Sequence, residues 1–255
     1  MKLDVYALSN IGLKRTVNQD NYYCNGVCAD IGDDRFRYSG AADASNPSFF
    51  AVFDGMGGYV HGERAAEIAV EEADKAFADY HSGAPEQLMS SVCASANKRI
   101  CDEMRYAVKG RMGSTAVMIL FENNRFYLCN LGDSPAFLLR NNLLKAIFCE
   151  HSERQSYEMI FEKKHSVGMK FKLTQHLGIF PDEMEIEPYF CSDVIKRGDI
   201  FLLCSDGLTD MVPESIIQSV LSAAATVREK CEKLLELSLQ NGGNDNITII
   251  ACSVE

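Results

Sequence analysis

The sequence predicts an α+β fold in which antiparallel β-sheets are covered by helices. Short apolar runs of strand length are joined by Asn-Asn pairs at 123–124 and 141–142, and asparagine tolerates the positive φ of a tight hairpin turn. Two pairs of helical patterns interrupt these strands, at 62–80 with 85–107 and at 213–221 with 227–239. Hairpin strands and helix pairs together favour helices packed on sheets, because each element must bury its apolar face.

The predicted strands run through the whole chain. The first, 3–8, alternates weakly between apolar and polar residues, whereas 49–53 is a continuous apolar run that is typical of a strand buried on both faces. The remaining strand predictions are 115–121, 125–131, 186–191, 200–204 and 247–254.

The helix predictions rest on the spacing of apolar residues along the sequence. In 85–107, apolar side chains recur at four-residue steps, and Pro85 suits a first helical turn. In 62–80, alanines around Ile68 recur close to helical spacing. The polar segment 150–178 has few β-branched residues, so we expect a short excursion of helix and loop there.

Length and composition favour one domain over residues 1–255. The candidate site motifs lie near both ends and would have to meet, and no Pro/Gly/Ser-rich linker divides the chain. The longest apolar runs fall far short of the roughly 20 residues that span a bilayer, and no apolar signal region follows the first residues. We therefore expect a cytoplasmic protein with no membrane association, and a monomer.

The net charge and the cysteine spacing argue against a nucleic-acid-binding protein and against a zinc site. The formal net charge of −11 disfavours nucleic acid, whose binding needs a basic surface. The 10 cysteines lie within apolar strands and helices and form no Cys-x-x-Cys pair, so we expect buried free thiols rather than a zinc site.

Three aspartates, Asp54, Asp206 and Asp245, stand where apolar strand patterns meet glycine-rich backbone. A single Asp-Gly after a strand is usually only a turn, but three such places suggest carboxylates converging at one edge of the sheet core. Carboxylates brought that close repel one another unless cations lie between them. Oxygen ligands suit Mg²⁺ or Mn²⁺, so the sequence predicts a site for these ions.

Short motifs surround these carboxylates, in the order Arg15-Thr16-Val17-Asn18-Gln19-Asp20, Phe53-Asp54-Gly55-Met56-Gly57-Gly58, Met112-Gly113-Ser114-Thr115-Ala116, Asn130-Leu131-Gly132-Asp133-Ser134, Ser205-Asp206-Gly207-Leu208-Thr209-Asp210 and Gly243-Asn244-Asp245-Asn246-Ile247-Thr248. Each motif is weak evidence alone, but the six motifs together span almost the whole chain. In this order they resemble the metal-dependent protein phosphatases of type 2C, in their bacterial serine/threonine form.

The resemblance sharpens the expected fold and function. It implies a four-layer α-β-β-α sandwich of two antiparallel sheets flanked by helices, with a flap at about 150–178. It also implies hydrolysis of phosphoserine and phosphothreonine on proteins by a hydroxide that bridges two Mn²⁺ or Mg²⁺ ions. The partners would then be phosphoproteins, substrates of a serine/threonine kinase.

The resemblance also assigns metal ligands. Asp54 would be shared by two ions, the Gly55 carbonyl would bind one of them, and Asp206 and Asp245 would complete the second ion's shell. Asp20 would reach the ions through water. The alternative for Asp54 is a solvated residue ending a strand, and for Asp20 an ordinary cap or turn residue.

By the same resemblance, Arg15 matches the arginine that binds the substrate phosphate. A guanidinium suits that role because it can bind two phosphate oxygens at once. With Lys14 beside it, the alternative is a solvated basic pair. Many bacterial relatives have His directly after the two glycines that follow Asp54, where this chain has Tyr59. Its ordinary pKa, about 10, is too high for an acid at neutral pH, so His61 is the predicted leaving-group acid.

A third metal ion is not expected. Relatives have an Asp just before Gly113 that helps to bind it, whereas this chain has Lys109, Gly110 and Arg111. A cation there would repel a divalent ion, although Asp102 or Asp210 could substitute from elsewhere. The motif residues Ser114, Thr115, Asp133, Asn246 and Thr248 are interpreted mainly as structural.

Two other functions stay open at this point. The chain could be a non-enzymatic phosphoprotein-binding regulator with the same fold, although the carboxylates and Arg15 are all present. It could also hydrolyse another phosphate monoester, such as a nucleotide.

Overall fold

The computed structural model describes residues 1–29, 36–56, 61–107, 110–154, 157 and 170–255. In this part of the chain thirteen strands pair antiparallel: β1 Lys2–Asn10, β2 Asp20–Cys24, β3 Val27–Cys28, β4 Arg37–Asp43, β5 Ser48–Met56, β6 Gly113–Ser114, β7 Ala116–Glu122, β8 Arg125–Leu131, β9 Ala136–Arg140, β10 Leu143–Ala146, β11 Tyr189–Val194, β12 Ile200–Cys204 and β13 Ile247–Val254. One sheet has the order β10-β9-β12-β13-β1-β4 and the other β11-β8-β7-β5-β2-β3, with β6 pairing to the end of β5.

Two groups of helices cover the outer faces of the sheets. The described helices are α1 Gly62–Ala78, α2 Pro85–Tyr106, the single turn α3 Asp206–Thr209, α4 Glu214–Ser222 and α5 Val227–Gln240. In α1 the buried face is rich in alanine, which lets the helix lie close to the sheet. None of the helices described is both long and apolar enough to span a membrane.

Three apolar layers separate these four layers of secondary structure. One lies between α1, α2 and the β5–β7–β8 face, a second between the two sheets, and a third between α4, α5 and the β1–β12–β13 face. Between the sheets the rings of Phe121 and Phe201 meet edge to face with centroids 5.1 Å apart. The predicted α-β-β-α sandwich is confirmed.

Several strands were not predicted, for physical reasons. β2 and β4 carry polar or small residues, Asp-Asn-Tyr-Tyr-Cys and Arg-Tyr-Ser-Gly-Ala-Ala-Asp, which do not alternate as strand patterns do. The strand predicted at 186–191 begins three residues later, because Tyr189 pairs with Asn130 at the end of β8. All 10 cysteines are free, as predicted, although Cys28 is exposed. The predicted flap lies partly outside the described residues, as do Gly57, Gly58, Tyr59 and Lys109.

Candidate metal and phosphate site

Asp20 and Asp54 face each other across two neighbouring strands. The β2–β5 register pairs Asp20 directly with Asp54, and β5 continues to Met56, so the prediction that Asp54 follows the strand end is wrong. Burial raises the pKa of Asp20 to about 7, opposed by the hydroxyl of Ser205, which donates to Asp20 at 2.7 Å. Burial, together with the charges of Asp20 and Asp206, raises the pKa of Asp54 well above its ordinary value. These carboxylates repel one another.

Asp206 and Asp245 reach the same region from the other sheet. Asp206 begins α3 directly after β12, and Asp245 lies just before β13, the strand with which β12 pairs. A Cβ at position 207 would lie 2.0 Å from the carbonyl oxygen of Asn246, so only glycine lets the two loops touch. The two Asp-bearing loops are thereby held side by side.

These aspartates line one cavity of about 250 Å³ between the two sheets' ends, together with Asp133 and two cations, Arg15 and Lys170. Asp133, interpreted from its motif as mainly structural, lies in the wall of this cavity. Burial and then the charge of Asp206 raise the pKa of Asp133 to about 7. The cavity therefore gathers buried negative charge from both sheets.

Two cations bind the carboxylates of the second pair. Arg15 Nε lies 2.7 Å from Asp245 Oδ1, and its Nη2 donates to Oδ2 at 2.8 Å. Lys170 Nζ contacts Asp206, and it lies 3.0 Å from Asp210 and 3.2 Å from Asp245. Burial would raise the pKa of Asp245, but the bond from Arg15 and the charge of Lys170 hold it below its ordinary value. Burial would lower the pKa of Lys170, but the surrounding carboxylates raise it well above its ordinary value.

Hydrogen bonds from motif residues fix the backbone around these groups. The Asn246 amide donates to the carbonyls of Ile11 and Val17 and accepts from the Gln19 N–H at 2.8 Å, which joins the Arg15 loop to the Asp245 loop. On the other side, Thr115 Oγ1 accepts from the Asp54 N–H at 3.1 Å and bonds to Ser134 Oγ at 2.6 Å. The structural interpretation of Asn246 and Thr115 is confirmed.

Gly55 and His61, two further predicted site residues, differ in their placement. Gly55 lines the cavity, and a side chain there would collide with the backbone of Gln19 and Gly62. His61 precedes α1 with φ 79 and does not belong to the described lining of the cavity. Its Nδ1 lies 4.0 Å from Glu63, whose other oxygen accepts from Gln19 Nε2 at 3.0 Å. Among the described contacts, His61 is thus linked to the cavity wall through Glu63 and Gln19.

The structure also shows where the residues considered for a third metal ion lie. Arg111 binds Glu183, lies over the Phe180 ring at 5.0 Å and does not line the described carboxylate cavity, so only the missing carboxylate remains as an argument against a third ion. Asp102 pairs with Lys98 on α2 and does not line the described cavity. Asp210 does approach Asp206, since both contact Lys170. The cation that faces these carboxylates is therefore Lys170, which the sequence did not predict, rather than Arg111.

The donor chemistry fits Mn²⁺ or Mg²⁺. The carboxylates of Asp54, Asp133, Asp206 and Asp245 line the cavity, and such oxygen donors suit these ions. Among the residues that the structure describes, no three acidic, His or Cys side chains are grouped around a common point for an ion. The oxygens of Asp206 and Asp245 instead face Lys170 and Arg15.

Sequence and structure comparisons identify relatives of this chain. The family model Protein phosphatase 2C matches residues 30–240. The serine/threonine protein phosphatase PstP of Mycobacterium tuberculosis is 30% identical over 97% of this chain, which spans only 44% of that protein. Protein phosphatase PhpP of Streptococcus pneumoniae is 26% identical, covering 99% of this chain and 98% of the relative.

Among solved structures, the catalytic domain of PstP in complex with two manganese ions superposes with a TM-score of 0.78 at 28% identity, covering 99% of this chain and 100% of that domain. The two structures share their fold over the whole described architecture.

Proposed function

The chain belongs to the protein phosphatase 2C family, and on this premise we propose that it is a metal-dependent serine/threonine protein phosphatase. The observation that carries the proposal is that Asp54, Asp206 and Asp245 line one cavity together with Arg15. We assign residues 1–255 to one phosphatase domain, with the flap at 150–178. A cytoplasmic location, a monomeric state and a serine/threonine kinase acting on the same substrates stay predictions from the sequence.

We assign the metal ligands to the side chains of this cavity. Asp54 would be shared by two ions, with the Gly55 carbonyl, Asp206 and Asp245 as further ligands and Asp20 acting through water. Mn²⁺ or Mg²⁺ bound there supplies activation of a water molecule for attack on phosphorus. The two-manganese complex of PstP supports this assignment.

Arg15 would bind the phosphate group. Its guanidinium now places two nitrogens on the two oxygens of Asp245, and the same fork fits two oxygens of a phosphate monoester. Because its side chain is 49% exposed, it can turn from Asp245 towards a substrate at the cavity mouth. Neutralising phosphate charge in this way stabilises the transition state.

Asp54 and His61 would have separate tasks. The bonds from Thr115 fix the backbone of Asp54, so its carboxylate is held in place before a ligand arrives. His61 stays the predicted leaving-group acid, because its imidazole can donate a proton to the departing alkoxide. Its link through Glu63 to Gln19 supports a place at the edge of the cavity.

The test is hydrolysis of phosphoserine and phosphothreonine peptides by the full chain in EDTA, Mn²⁺, Mg²⁺ or Zn²⁺. We expect activity only with Mn²⁺ or Mg²⁺, and little activity on nucleotides. Activity in EDTA, or with Zn²⁺ alone, contradicts the metal assignment. Preference for nucleotides indicates another phosphate monoesterase, and tight binding without hydrolysis indicates a phosphoprotein-binding module.

A further inference from the structure

We propose that Lys170 is a resident cation that competes with divalent ions for the carboxylates of the cavity and sets the metal concentration at which the site fills. The inference rests on the proposed function only in that the carboxylates bind metal. It concerns a residue that neither the motifs nor the composition of the chain single out.

The contacts of Lys170 place its charge on proposed metal ligands. Its ammonium contacts Asp206 and lies 3.2 Å from Asp245, both assigned above as ligands, and it lies 3.0 Å from Asp210. An ammonium donates three hydrogen bonds, so these carboxylates can satisfy all of them. One charge of +1 thus occupies the side of Asp206 and Asp245 that faces the cavity.

Backbone contacts hold the Lys170 segment at the cavity. Thr174 N–H donates to the His151 carbonyl at 2.9 Å, and Ser152 and Leu173 form an antiparallel bridge. His151 N–H in turn donates to the Gly132 carbonyl at 3.0 Å, beside Asp133 in the cavity wall. The chain on the C-terminal side of Lys170 is therefore fastened to the same framework as the carboxylates.

Charge repulsion makes the Lys170 ammonium and a divalent ion exclusive at the same oxygens. Like charges about 4 Å apart repel strongly even at the screened dielectric of a protein surface. The Lys170 side chain is 52% exposed, so it can swing into solvent when an ion binds. Breaking its three carboxylate contacts then subtracts from the free energy of ion binding.

The same contacts account for the acidic cluster in the absence of ions. Asp206, Asp210 and Asp245 approach one another closely, and Lys170 offsets their repulsion. Lys170 should therefore stabilise the metal-free chain while it weakens metal binding, a pair of opposite effects that a purely structural lysine would not produce.

The experiment is calorimetric titration of the EDTA-stripped full chain with Mn²⁺ at pH 7.5, comparing wild type with Lys170→Gln and Lys170→Met. We expect both neutral variants to bind Mn²⁺ about tenfold more tightly, equal to about 1.4 kcal/mol. Without metal, the melting temperatures of both variants should be lower than that of wild type. The increase in melting temperature on adding Mn²⁺ should be larger for the variants than for wild type. Two neutral variants guard against a folding defect in one of them.

Matched variants provide the controls. Lys172→Gln removes an exposed charge two residues away and should leave Mn²⁺ affinity unchanged. Lys170→Arg retains the charge and should bind Mn²⁺ as weakly as wild type. Equal or weaker Mn²⁺ affinity in both neutral variants overturns the inference while leaving the phosphatase proposal intact. Failure of every variant to bind Mn²⁺ overturns the inference and the metal assignment together, and Mn²⁺ binding by the neutral variants alone supports it.

Discussion

The two pairs of aspartates at the site, Asp20 with Asp54 and Asp206 with Asp245, differ in the charged groups that they contact. Asp20 and Asp54 face each other on β2 and β5, and in the described part of the chain neither forms an ion pair. Asp206 and Asp245 lie on neighbouring loops and contact Lys170, and Asp245 also binds Arg15. Accordingly, the pKa of Asp54 is raised and that of Asp245 is lowered, whereas burial keeps the pKa of Asp206 raised despite the charge of Lys170.

The difference separates two roles within one site. Neither member of the first pair has a cationic partner among the described residues, so binding of a divalent ion relieves the repulsion between them. The second pair already contacts the cationic side chains of Arg15 and Lys170, so a divalent ion must displace them. We infer that the first pair drives metal binding and that the second pair tunes it.

The largest effect is expected from Asp54→Asn, which removes the ligand that two ions would share. Activity on phosphopeptides should fall on the order of a thousandfold or more, because the nucleophile depends on those ions. Steady-state kinetics with saturating Mn²⁺ measures this, with the exposed Asp182→Asn as control. A loss below tenfold would contradict the role of Asp54.

A second prediction concerns the acid on the side of the uncompensated pair. His61→Gln should slow phosphopeptide hydrolysis about a hundredfold, the lower end for a general acid, because an alkoxide needs protonation as it leaves. Nitrophenyl phosphate, with its acidic phenol, should be hydrolysed almost normally. Equal rates for variant and wild type on both substrates would contradict this role of His61 and indicate that water protonates the leaving group.

Arg15→Ala tests the cation that contacts the second pair. We expect kcat/KM for phosphopeptides to fall roughly ten- to a hundredfold, the size of a charge-assisted hydrogen bond to phosphate. Lys14→Ala, an exposed neighbour, is the matched control and should change little. Identical kinetics in both variants would contradict phosphate binding by Arg15 and favour the alternative that Arg15 and Lys14 form a solvated basic pair.

The contrast also predicts opposite stability changes without metal. In EDTA, Asp54→Asn should raise the free energy of unfolding by about 1 kcal/mol, since it removes a carboxyl group whose ionised form burial and the charge of Asp20 disfavour. Asp245→Asn should lower it by a similar amount, since Arg15 and Lys170 lose a partner. Urea unfolding measures both, and changes of the same sign would contradict the contrast.

The smallest effect is a dependence of stability on pH. The pKa values of Asp20 and Asp133 are raised to about 7, so the folded chain binds their protons more tightly than the unfolded chain does. In EDTA, stability should therefore increase by on the order of 1 kcal/mol as the pH falls from about 7.5 to 5.5. The lowered pKa of Asp245 acts only at lower pH, where its stabilisation is lost.

A matched variant isolates this pH effect. Asp20→Asn should reduce the increase, because one of the carboxyl groups with a raised pKa is then missing. Stability that declines steadily with acid in the wild type, measured by thermal melting in EDTA, would contradict the prediction.

The sequence predicted the layers and most of the cavity because both leave local patterns. Helical spacing and apolar strand runs located α1, α2 and β13, and Asp-Gly motifs located Asp54 and Asp206. Lys170 was missed because it lies in a polar stretch with no pattern and acts only through contacts distant in sequence. Asp133 was missed for another reason, since its Gly-Asp motif resembles an ordinary turn and only pairing of β7 with β8 brings it to the cavity.

The central claim is that this acidic cavity binds two divalent ions, with Asp54 shared between them. Crystals of the chain soaked in Mn²⁺, measured with anomalous scattering, test it directly. We predict two strong peaks beside Asp54, the second also bound by Asp206 and Asp245, with Lys170 turned away from both carboxylates. No anomalous peak in the cavity, or three fully occupied peaks with Lys170 still bound to Asp206, would contradict the account.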